Sequence, residues 1–335
     1  MENNKKIPVI VIFAPTASGK TALTKELFSA SGSHFILNAE IISADSQAVY
    51  KEMDIGTAKP EADLCKELPH HLINLVEADE QYNVADFVTA ADKACQQIYE
   101  GGKIPVVCGG TGFYIRCFLY GLPKTPESNT QIRENIKQRL ESEGKEALYA
   151  ELQLIDPESA AVISQNDAYR ICRALEVYYT TGKTRSSYRL ENQLREKYDF
   201  TFIVLQPPRA LLYERIRQRV EKMFEAGLEA EVKALIEKGY NKDSPGMKAI
   251  GYSEWFRDDG QFVGEKNDAE SGEKNDVDKT AVKEAIIHHS CKYAKKQFTY
   301  IKDIPGSIII PFSARQEDVE KVAETIKLRY SNRQL

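Results

Sequence analysis

A lysine and a threonine close a glycine-containing segment near the start of the chain, and these residue types at this spacing bind phosphates. Residues 14–21 read Ala-Pro-Thr-Ala-Ser-Gly-Lys-Thr and match G-x-x-x-x-G-K-[ST] except at Ala14, where glycine is usual. In this pattern, backbone N–H groups and a helix N-terminus converge on an anion. Lys20 adds a positive charge, Thr21 offers a hydroxyl to Mg²⁺, and Gly19 allows close approach of the phosphate. The segment predicts a site for a di- or triphosphate.

The segments on either side of this loop have the patterns of a buried strand and a helix. Ile7–Phe13 is a continuous β-branched apolar run, typical of a strand covered on both faces of a parallel sheet, and residues 22–29 are helical by pattern. Further strands are predicted at 40–44, 104–108 and 201–205, and further helices at 87–100 and within 208–240. Strands alternating with helices predict an α/β fold with a parallel sheet, here a P-loop NTPase-like core.

One stretch of the chain interrupts this alternation. Residues 124–198 carry long helical patterns and no strand signal, which predicts an inserted all-helical domain between two parts of the core, 1–123 and 199–335. Residues 258–279 are acidic and polar and contain Gly-Glu-Lys-Asn-Asp twice. We interpret this last segment as a mobile surface loop and not as a functional repeat.

Composition limits the class of protein. A chain of 335 residues, 42% of them hydrophobic, predicts a globular protein of about two domains. No apolar run approaches 18 residues, and the polar N-terminus does not resemble a signal peptide, so we expect no membrane association. The six cysteines form no C-x-x-C pair, which favours reduced thiols in a cytoplasmic protein without structural zinc. Nothing in the sequence demands more than a monomer.

Positive charge is concentrated in the C-terminal half, although the net charge is −5. Residues 168–198 carry seven basic and three acidic side chains, and residues 205–222 carry five and two. Residues 288–302 have four lysines and no acid. A single run of this kind is usually a solvated helix face. Three runs interleaved with tyrosine and phenylalanine favour a polyanionic partner.

Asp45 follows the predicted strand at 40–44 and should therefore lie at the carboxyl edge of the sheet, where ligands of open α/β sheets bind. There it could hold Mg²⁺, act as a general base, or simply cap the next turn. Two histidine pairs, at 70–71 and 288–289, have no further ligand at metal-binding spacing. We expect them to pack or to form hydrogen bonds.

A series of further motifs follows the phosphate loop in order as far as about residue 302. They lie at 43–46, 50–60, 69–72, 107–114, 156–157, 166–167, 170, 173–178, 181–183, 215–227, 249–252 and 293–297. Together they resemble the tRNA dimethylallyltransferase (tRNA isopentenyltransferase) family. The bacterial type is indicated because the C-terminal zinc finger of eukaryotic relatives is missing.

The resemblance implies a reaction and its partners. The dimethylallyl group of dimethylallyl diphosphate would move to N6 of adenosine 37, in the anticodon loop of a tRNA, and diphosphate would leave. Asp45 matches the catalytic aspartate and would accept the amine proton. Thr16 would line the channel between the two substrates, and Arg219 would lie over the diphosphate. Arg219 and Arg215 share one predicted helix face, whereas Arg217 points away.

Two sets of binding residues complete this prediction. The diphosphate site is expected to comprise Ala14, Pro15, Thr16, Ala17, Ser18, Gly19, Lys20, Thr21 and Arg215, with Thr21 as the Mg²⁺ ligand. The tRNA is expected to contact Asp45, Ser46, Gln47, Ala48, Thr111, Arg133, Tyr169, Arg170 and Arg173. The sequence departs from the family pattern at Ala14, in the order of Gln47 and Ala48, and at Tyr169.

Other functions are compatible with the phosphate loop alone. They are prenylation of free AMP, ADP or ATP, phosphoryl transfer by a small-molecule kinase, and non-catalytic, nucleotide-gated RNA binding. The basic helical insertion favours tRNA over a free nucleotide, since a nucleotide needs no such surface.

Overall fold

The computed structural model describes residues 6–126, 128–188, 193–257, 259–263, 279–301 and 304–330. The chain divides into two compact units, which we call the core (Met1–Leu119 with Arg195–Leu335) and the insert (Tyr120–Leu194). The bounds expected from the sequence, 124 and 198, lie four residues later at each end. Tyr198 is the first residue of a core strand, so the second bound was placed too late.

Six parallel strands form the sheet of the core. They are β1 (Ile7–Phe13), β2 (Ala39–Ala44), β3 (His70–His71), β4 (Ile104–Gly109), β5 (Tyr198–Gln206) and β6 (Ile308–Pro311), in the order β3-β2-β4-β1-β5-β6. The predicted α/β class with a parallel sheet is confirmed. The two strands at the edges, β3 and β6, were not predicted because they are short and their partners are distant in sequence.

In the residues that the structure describes, eight α-helices belong wholly or mainly to the core. They are α1 (Lys20–Phe28), α2 (Ala62–Glu67), α3 (Val84–Glu100), α4 (Gly112–Tyr120), α8 (Arg209–Glu225), α9 (Leu228–Glu237), α10 (Lys279–Ile301) and α11 (Gln316–Tyr330). The helical pattern at 208–240 is two helices, separated at Gly227, whose φ of 95° is left-handed. No helix in the described ranges is both long and apolar enough to cross a bilayer.

Two hydrophobic clusters hold these elements. Every residue of β1 is buried between β4 and β5, and β1 packs with α1 and α11 in the first cluster. Burial on both faces explains the uninterrupted apolar run of this strand. The second cluster surrounds Tyr252 and Trp255 and includes apolar residues of α8 and α9. Together the clusters fix the end of β1 and the orientation of α8, which carry the residues of the site.

In the insert, α5 (Thr130–Ile155), α6 (Pro157–Val162) and α7 (Ala168–Thr181) pack around a third cluster. The side chains of Asn129, Asp156 and Asp167 cap their N-termini. Regular structure in the described part of the insert is helical only, as predicted.

The segment predicted to be a mobile loop, 258–279, lies mostly outside the described residues. Its ends differ from that prediction. Phe262 is buried and its ring stacks on Trp255 at 5.8 Å, and Lys279 is the first residue of α10. Burial of the aromatic ring is favourable because it removes apolar surface from water. The polar composition of the segment gave no sign of this burial.

Candidate active site

The phosphate loop joins β1 to α1 at the carboxyl edge of the sheet. Gly19 has φ 93°, and a Cβ at this position would lie 3.3 Å from the Cβ of Ala314, so both conformation and space favour glycine. Ala17 also adopts a left-handed φ, 59°. Ala14 is fully buried and its φ is not positive, so the replacement of glycine there is accommodated without strain.

Lys20 is held at the centre of the loop. Its Nζ donates to the carbonyl oxygens of Ala14 at 2.9 Å and Pro15 at 2.8 Å. Burial lowers the pKa of Lys20 to about 8, while the nearby Cys108 and Asp45 side chains oppose that shift. The result is a poorly solvated ammonium group that is still largely charged at neutral pH, a strong binding partner for an anion.

Arg215 and Arg219 were predicted to share one face of α8, and both extend toward the region of the phosphate loop. Arg215 donates to the carbonyl oxygens of Ser313 at 2.7 Å and Ser18 at 3.5 Å. It therefore ties the phosphate loop to the segment after β6. Arg217, between them, is exposed, as the helical spacing predicts.

Arg219 lies one turn further along α8 and donates to the carbonyl oxygen of Thr57 at 3.2 Å. Burial lowers its pKa, whereas the carboxylate of Asp45 raises it. The charges of Lys20, Arg219 and Asp45 all act on one another. The structure thus brings the predicted base and two of the three predicted diphosphate-binding cations, Lys20 and Arg219, into one site.

Asp45 begins the turn that follows β2. One of its carboxylate oxygens, Oδ1, accepts the N–H of Gln47 at 2.9 Å, so the residue does cap this turn. The other oxygen accepts no hydrogen bond from any residue that the structure describes. The turn is tied to the end of β4, since the Thr111 hydroxyl accepts the N–H of Ser46 at 3.0 Å. Asp45 therefore has a fixed orientation and a free acceptor atom.

Two buried polar atoms near this turn and the loop have no hydrogen-bond partner within the described chain, Ser18 Oγ and Gln47 Oε1. Unpartnered buried polar atoms are costly and uncommon. Their presence in the phosphate loop and beside Asp45 is the pattern expected of groups that bind a ligand. Ala48, by contrast, is buried and apolar, and its carbonyl accepts the N–H of Asn74.

Helix α10 supplies two residues that the sequence analysis included only as part of a motif. Gln297 is buried; its Oε1 accepts the N–H of Thr16 at 3.1 Å, and its Nε2 donates to Gly110 O at 2.7 Å. Tyr293, one turn earlier, lies beside Thr111 and Gln297. Tyr293 is 37% exposed, but partial burial raises its pKa to about 12, and Asp45 adds to the effect. The only signal for these two residues was the resemblance at 293–297.

The tRNA-binding residues predicted on the insert form a separate group. Arg133 is exposed on α5, Tyr169 is 72% exposed on α7, and Arg170 is exposed with a loose ion pair to Asp167 at 3.4 Å. Arg173 differs from them.

The guanidinium of Arg173 is already engaged within the insert. It donates to Pro126 O at 2.9 Å and pairs at 2.8 Å with Glu176, whose carboxylate is buried. Arg173 therefore has a structural role in the insert, because it pairs with the buried charge of Glu176.

Three of the four paired histidines form hydrogen bonds, and the ring of His288 packs edge-on against that of His289. His71 Nε2 meets Glu40 at 2.6 Å, His70 Nδ1 meets Leu68 O at 2.7 Å, and His289 Nδ1 meets Glu254 at 2.7 Å. In the described ranges, no three His, Cys, Asp or Glu side chains converge as metal ligands would.

Comparison with known proteins agrees with this geometry. Residues 48–304, more than half of the chain, match the family described as IPP transferase. The chain is 37% identical over 318 residues to tRNA dimethylallyltransferase 1 of Trichlorobacter lovleyi, covering 95% of this chain and 98% of that protein. It is 38% identical over 302 residues to tRNA dimethylallyltransferase of Bacillus subtilis, covering 90% of each.

Solved structures give the same result. The tRNA isopentenylpyrophosphate transferase of Bacillus halodurans superposes with a TM-score of 0.63 at 31% identity over 97% of both chains. A eukaryotic dimethylallyltransferase acting on tRNA gives a TM-score of 0.76 at 28% identity, over 97% of this chain and 79% of that one. The chain therefore belongs to the IPP transferase family, together with the tRNA dimethylallyltransferases to which it is similar.

Proposed function

We propose that the protein transfers the dimethylallyl group of dimethylallyl diphosphate to N6 of adenosine 37 in tRNA and releases diphosphate. The names of its relatives and its family support the transfer of a prenyl group to tRNA. One observation carries the chemistry: Asp45, with an unpartnered carboxylate oxygen, lies within electrostatic reach of Lys20 and Arg219. A base for the acceptor and cations for the leaving group therefore occupy one site.

The phosphate loop suits the diphosphate. The first N–H groups of α1 lack intrahelical acceptors and point out of the helix N-terminus toward an anion. Lys20, Arg219 and the unpartnered Ser18 Oγ add two charges and a hydroxyl. As the carbon–oxygen bond breaks, negative charge grows on the departing oxygen. Preorganised cations in a poorly solvated site stabilise that charge more than water would.

Thr21 fits the role predicted for it as a Mg²⁺ ligand. It lies in the first turn of α1, and its side chain is exposed beside the loop. Mg²⁺ commonly takes few protein ligands and completes its shell with phosphate oxygens and water. A single hydroxyl is therefore a sufficient protein contribution, and the ion would neutralise charge on the diphosphate.

Asp45 would act on the acceptor. The N6 amine attacks C1 of the dimethylallyl group; the N6–C1 bond forms as the C1–O bond breaks, and the electron pair leaves with the diphosphate. The proton from N6 passes to the free oxygen of Asp45. The hydrogen bond from Gln47 N–H holds the carboxylate in one orientation, which general-base catalysis requires. Thr111, Tyr293 and Gln47 are the nearest candidates to hold the purine.

The adenine must leave the stack of the anticodon loop to reach such a site, at a cost of a few kcal/mol. Exposed aromatic and basic side chains recognise single-stranded loops by stacking and by phosphate contacts. On the insert, Tyr169, Arg170 and Arg133 meet that description.

A labelling experiment tests this function. The protein is incubated with labelled dimethylallyl diphosphate and either unmodified tRNA, AMP or ATP. The tRNA is then digested both to nucleosides, which identify the modification by mass, and to oligonucleotides, which locate it. We expect N6-dimethylallyl adenosine at position 37 and no labelled AMP. Label in AMP alone would identify an adenylate prenyltransferase, and ATP turnover without label transfer would identify a kinase.

A further inference from the structure

The loop between Met53 and Thr57 is organised around one carboxylate from α9. Glu231 Oε2 accepts the N–H groups of Asp54 at 2.9 Å and Ile55 at 2.8 Å. Its Oε1 accepts the N–H of Gly56 at 3.1 Å and the hydroxyl of Tyr252 at 2.6 Å. A carboxylate offers about four lone-pair positions, and four donors occupy them.

The packing around this carboxylate leaves the loop little freedom. Tyr252 is fully buried, and a Cβ at Gly56 would come within 2.4 Å of its ring. The hydroxyl of Thr57 donates to the carbonyl of Met53. At the other end of the segment, the buried Nζ of Lys59 pairs with Asp54 at 2.7 Å. The loop is thus fixed both by its own contacts and by Glu231.

This arrangement fixes the position of one carbonyl group, that of Thr57. Thr57 O directly follows the three N–H groups that Glu231 accepts, and it receives Nη2 of Arg219 at 3.2 Å. Within the described chain, the hydrogen bonds of Glu231 reach this loop and Tyr252, and none of them reaches the phosphate loop or Asp45. Its path to the site therefore runs through Thr57 and Arg219.

We propose that Glu231 is a positioning residue, whose carboxylate fixes the loop at 54–57 so that the Thr57 carbonyl holds Arg219 over the diphosphate. The proposal rests on the proposed function, in which Arg219 binds the departing diphosphate. It also gives a physical reason for three separate motifs in the sequence, at 50–60, 215–227 and 249–252, since they supply the loop, Arg219 and Tyr252. The loop and Tyr252 bond directly to the carboxylate of Glu231, and Arg219 is linked to it through the Thr57 carbonyl.

The test is a double-mutant cycle read out by the affinity for inorganic diphosphate, measured by calorimetry. Glu231→Gln keeps the shape but turns an amide NH₂ toward N–H donors. We expect Glu231→Gln and Arg219→Gln each to weaken diphosphate binding about 10-fold, because a cation displaced by about 1 Å loses much of its effect. The double variant should be no more than about twofold weaker than Arg219→Gln alone. Effects that multiply fully would overturn the proposal.

The matched control lies two residues earlier on the same helix. Glu229 pairs with Lys233 and Lys279, both at 2.7 Å, and makes no contact with the loop. Glu229→Gln should bind diphosphate as the wild type does. An equal loss in Glu229→Gln would mean that any charge change on α9 has this effect, and it would also overturn the proposal.

A milder variant keeps the test decisive if Glu231→Gln does not fold. Tyr252→Phe removes one of the four donors and leaves the three N–H bonds. We expect Tyr252→Phe to weaken diphosphate affinity two- to threefold in the wild-type protein. In the Arg219→Gln background the same substitution should have no effect. A Tyr252→Phe loss that persists there would contradict the path through Arg219.

Failure of the inference and failure of the proposed function are distinguishable. If the wild type binds diphosphate with the predicted coupling but transfers no dimethylallyl group, the proposed reaction is wrong and the coupling remains. If transfer to tRNA occurs but Glu231 and Arg219 act independently, only the positioning role is wrong.

Discussion

The core and the insert hold the arginines that were predicted to bind ligands in different ways. In the core, Arg215 and Arg219 donate to backbone carbonyls of Ser313 and Thr57, and both are half-buried. In the insert, Arg133 and Arg170 are exposed. The one insert arginine that resembles those of the core, Arg173, is paired with a buried glutamate.

The difference corresponds to two kinds of ligand. A small anion that gains charge during a reaction is best stabilised by cations fixed in a poorly solvated site. A long polyanion is attracted by exposed charges acting through water, which salt screens. We therefore expect the cations withdrawn from water in the core to act in the chemical step, and the exposed cations of the insert to act in association.

Asp45→Ala should have the largest effect on transfer. It should affect the chemical step in the core and leave tRNA binding by the insert unchanged. Removal of the base should reduce transfer by about 10²–10⁴-fold, while tRNA binding persists because the arginines of the insert are untouched. Single-turnover transfer and filter binding of tRNA measure the two properties. Unchanged turnover would remove Asp45 as the base.

Gln297→Leu should have a smaller effect, again confined to the core. The change leaves Thr16 N–H and Gly110 O without their partner, which should cost about 1–3 kcal/mol in the free energy of unfolding. A loosened phosphate loop should also lower transfer about 10-fold. Urea unfolding and kcat measure these effects. Gln218 lies on the exposed side of α8, and its side chain bonds to Glu214 and to no other described residue, so Gln218→Leu provides the control. An equal loss there would contradict the specific role of Gln297.

The pH dependence of diphosphate affinity should show that Lys20 is a buried cation. Since its pKa is about 8, the ammonium is charged below that pH and is lost as the pH rises through it. Affinity should therefore fall above about pH 8, and binding should take up protons because the anion raises the pKa. Calorimetry in buffers of different ionisation enthalpy measures the uptake. Lys20→Arg should abolish this part of the profile, since arginine stays charged; an unchanged profile would exclude Lys20 as its source.

Salt dependence should separate the arginines within the insert. Arg170→Ala should reduce the slope of log affinity for tRNA against log salt by about 1, with little change in stability. Arg173→Ala should instead lower the free energy of unfolding by about 3 kcal/mol, because the buried carboxylate of Glu176 loses its cation and keeps only the hydrogen bonds from Ser128 and Asn129. Binding titrations from low to high salt and thermal unfolding distinguish the two outcomes. A reversed pattern would contradict the division between exposed and internal arginines.

Local features of the site were predictable from the sequence because neighbouring residues determine them. The loop at 14–21 lies between a strand and a helix, Asp45 follows β2, and the spacing on α8 places Arg215 and Arg219 together while Arg217 points outward. Each of these depends on strand alternation or on the 3.6-residue period of a helix. They required no knowledge of the rest of the chain.

The tertiary structure alone decided which distant residues hold these features in place. Gln297 bonds to Thr16 across 281 positions, and Glu231 bonds to the loop at 54–56 across about 176. It also decided that Arg173 faces a buried glutamate, whereas its neighbour Arg170 faces solvent. Hydrogen bonds and burial depend on which groups meet in space, and a local pattern in one segment carries no information about the segment that will pack against it.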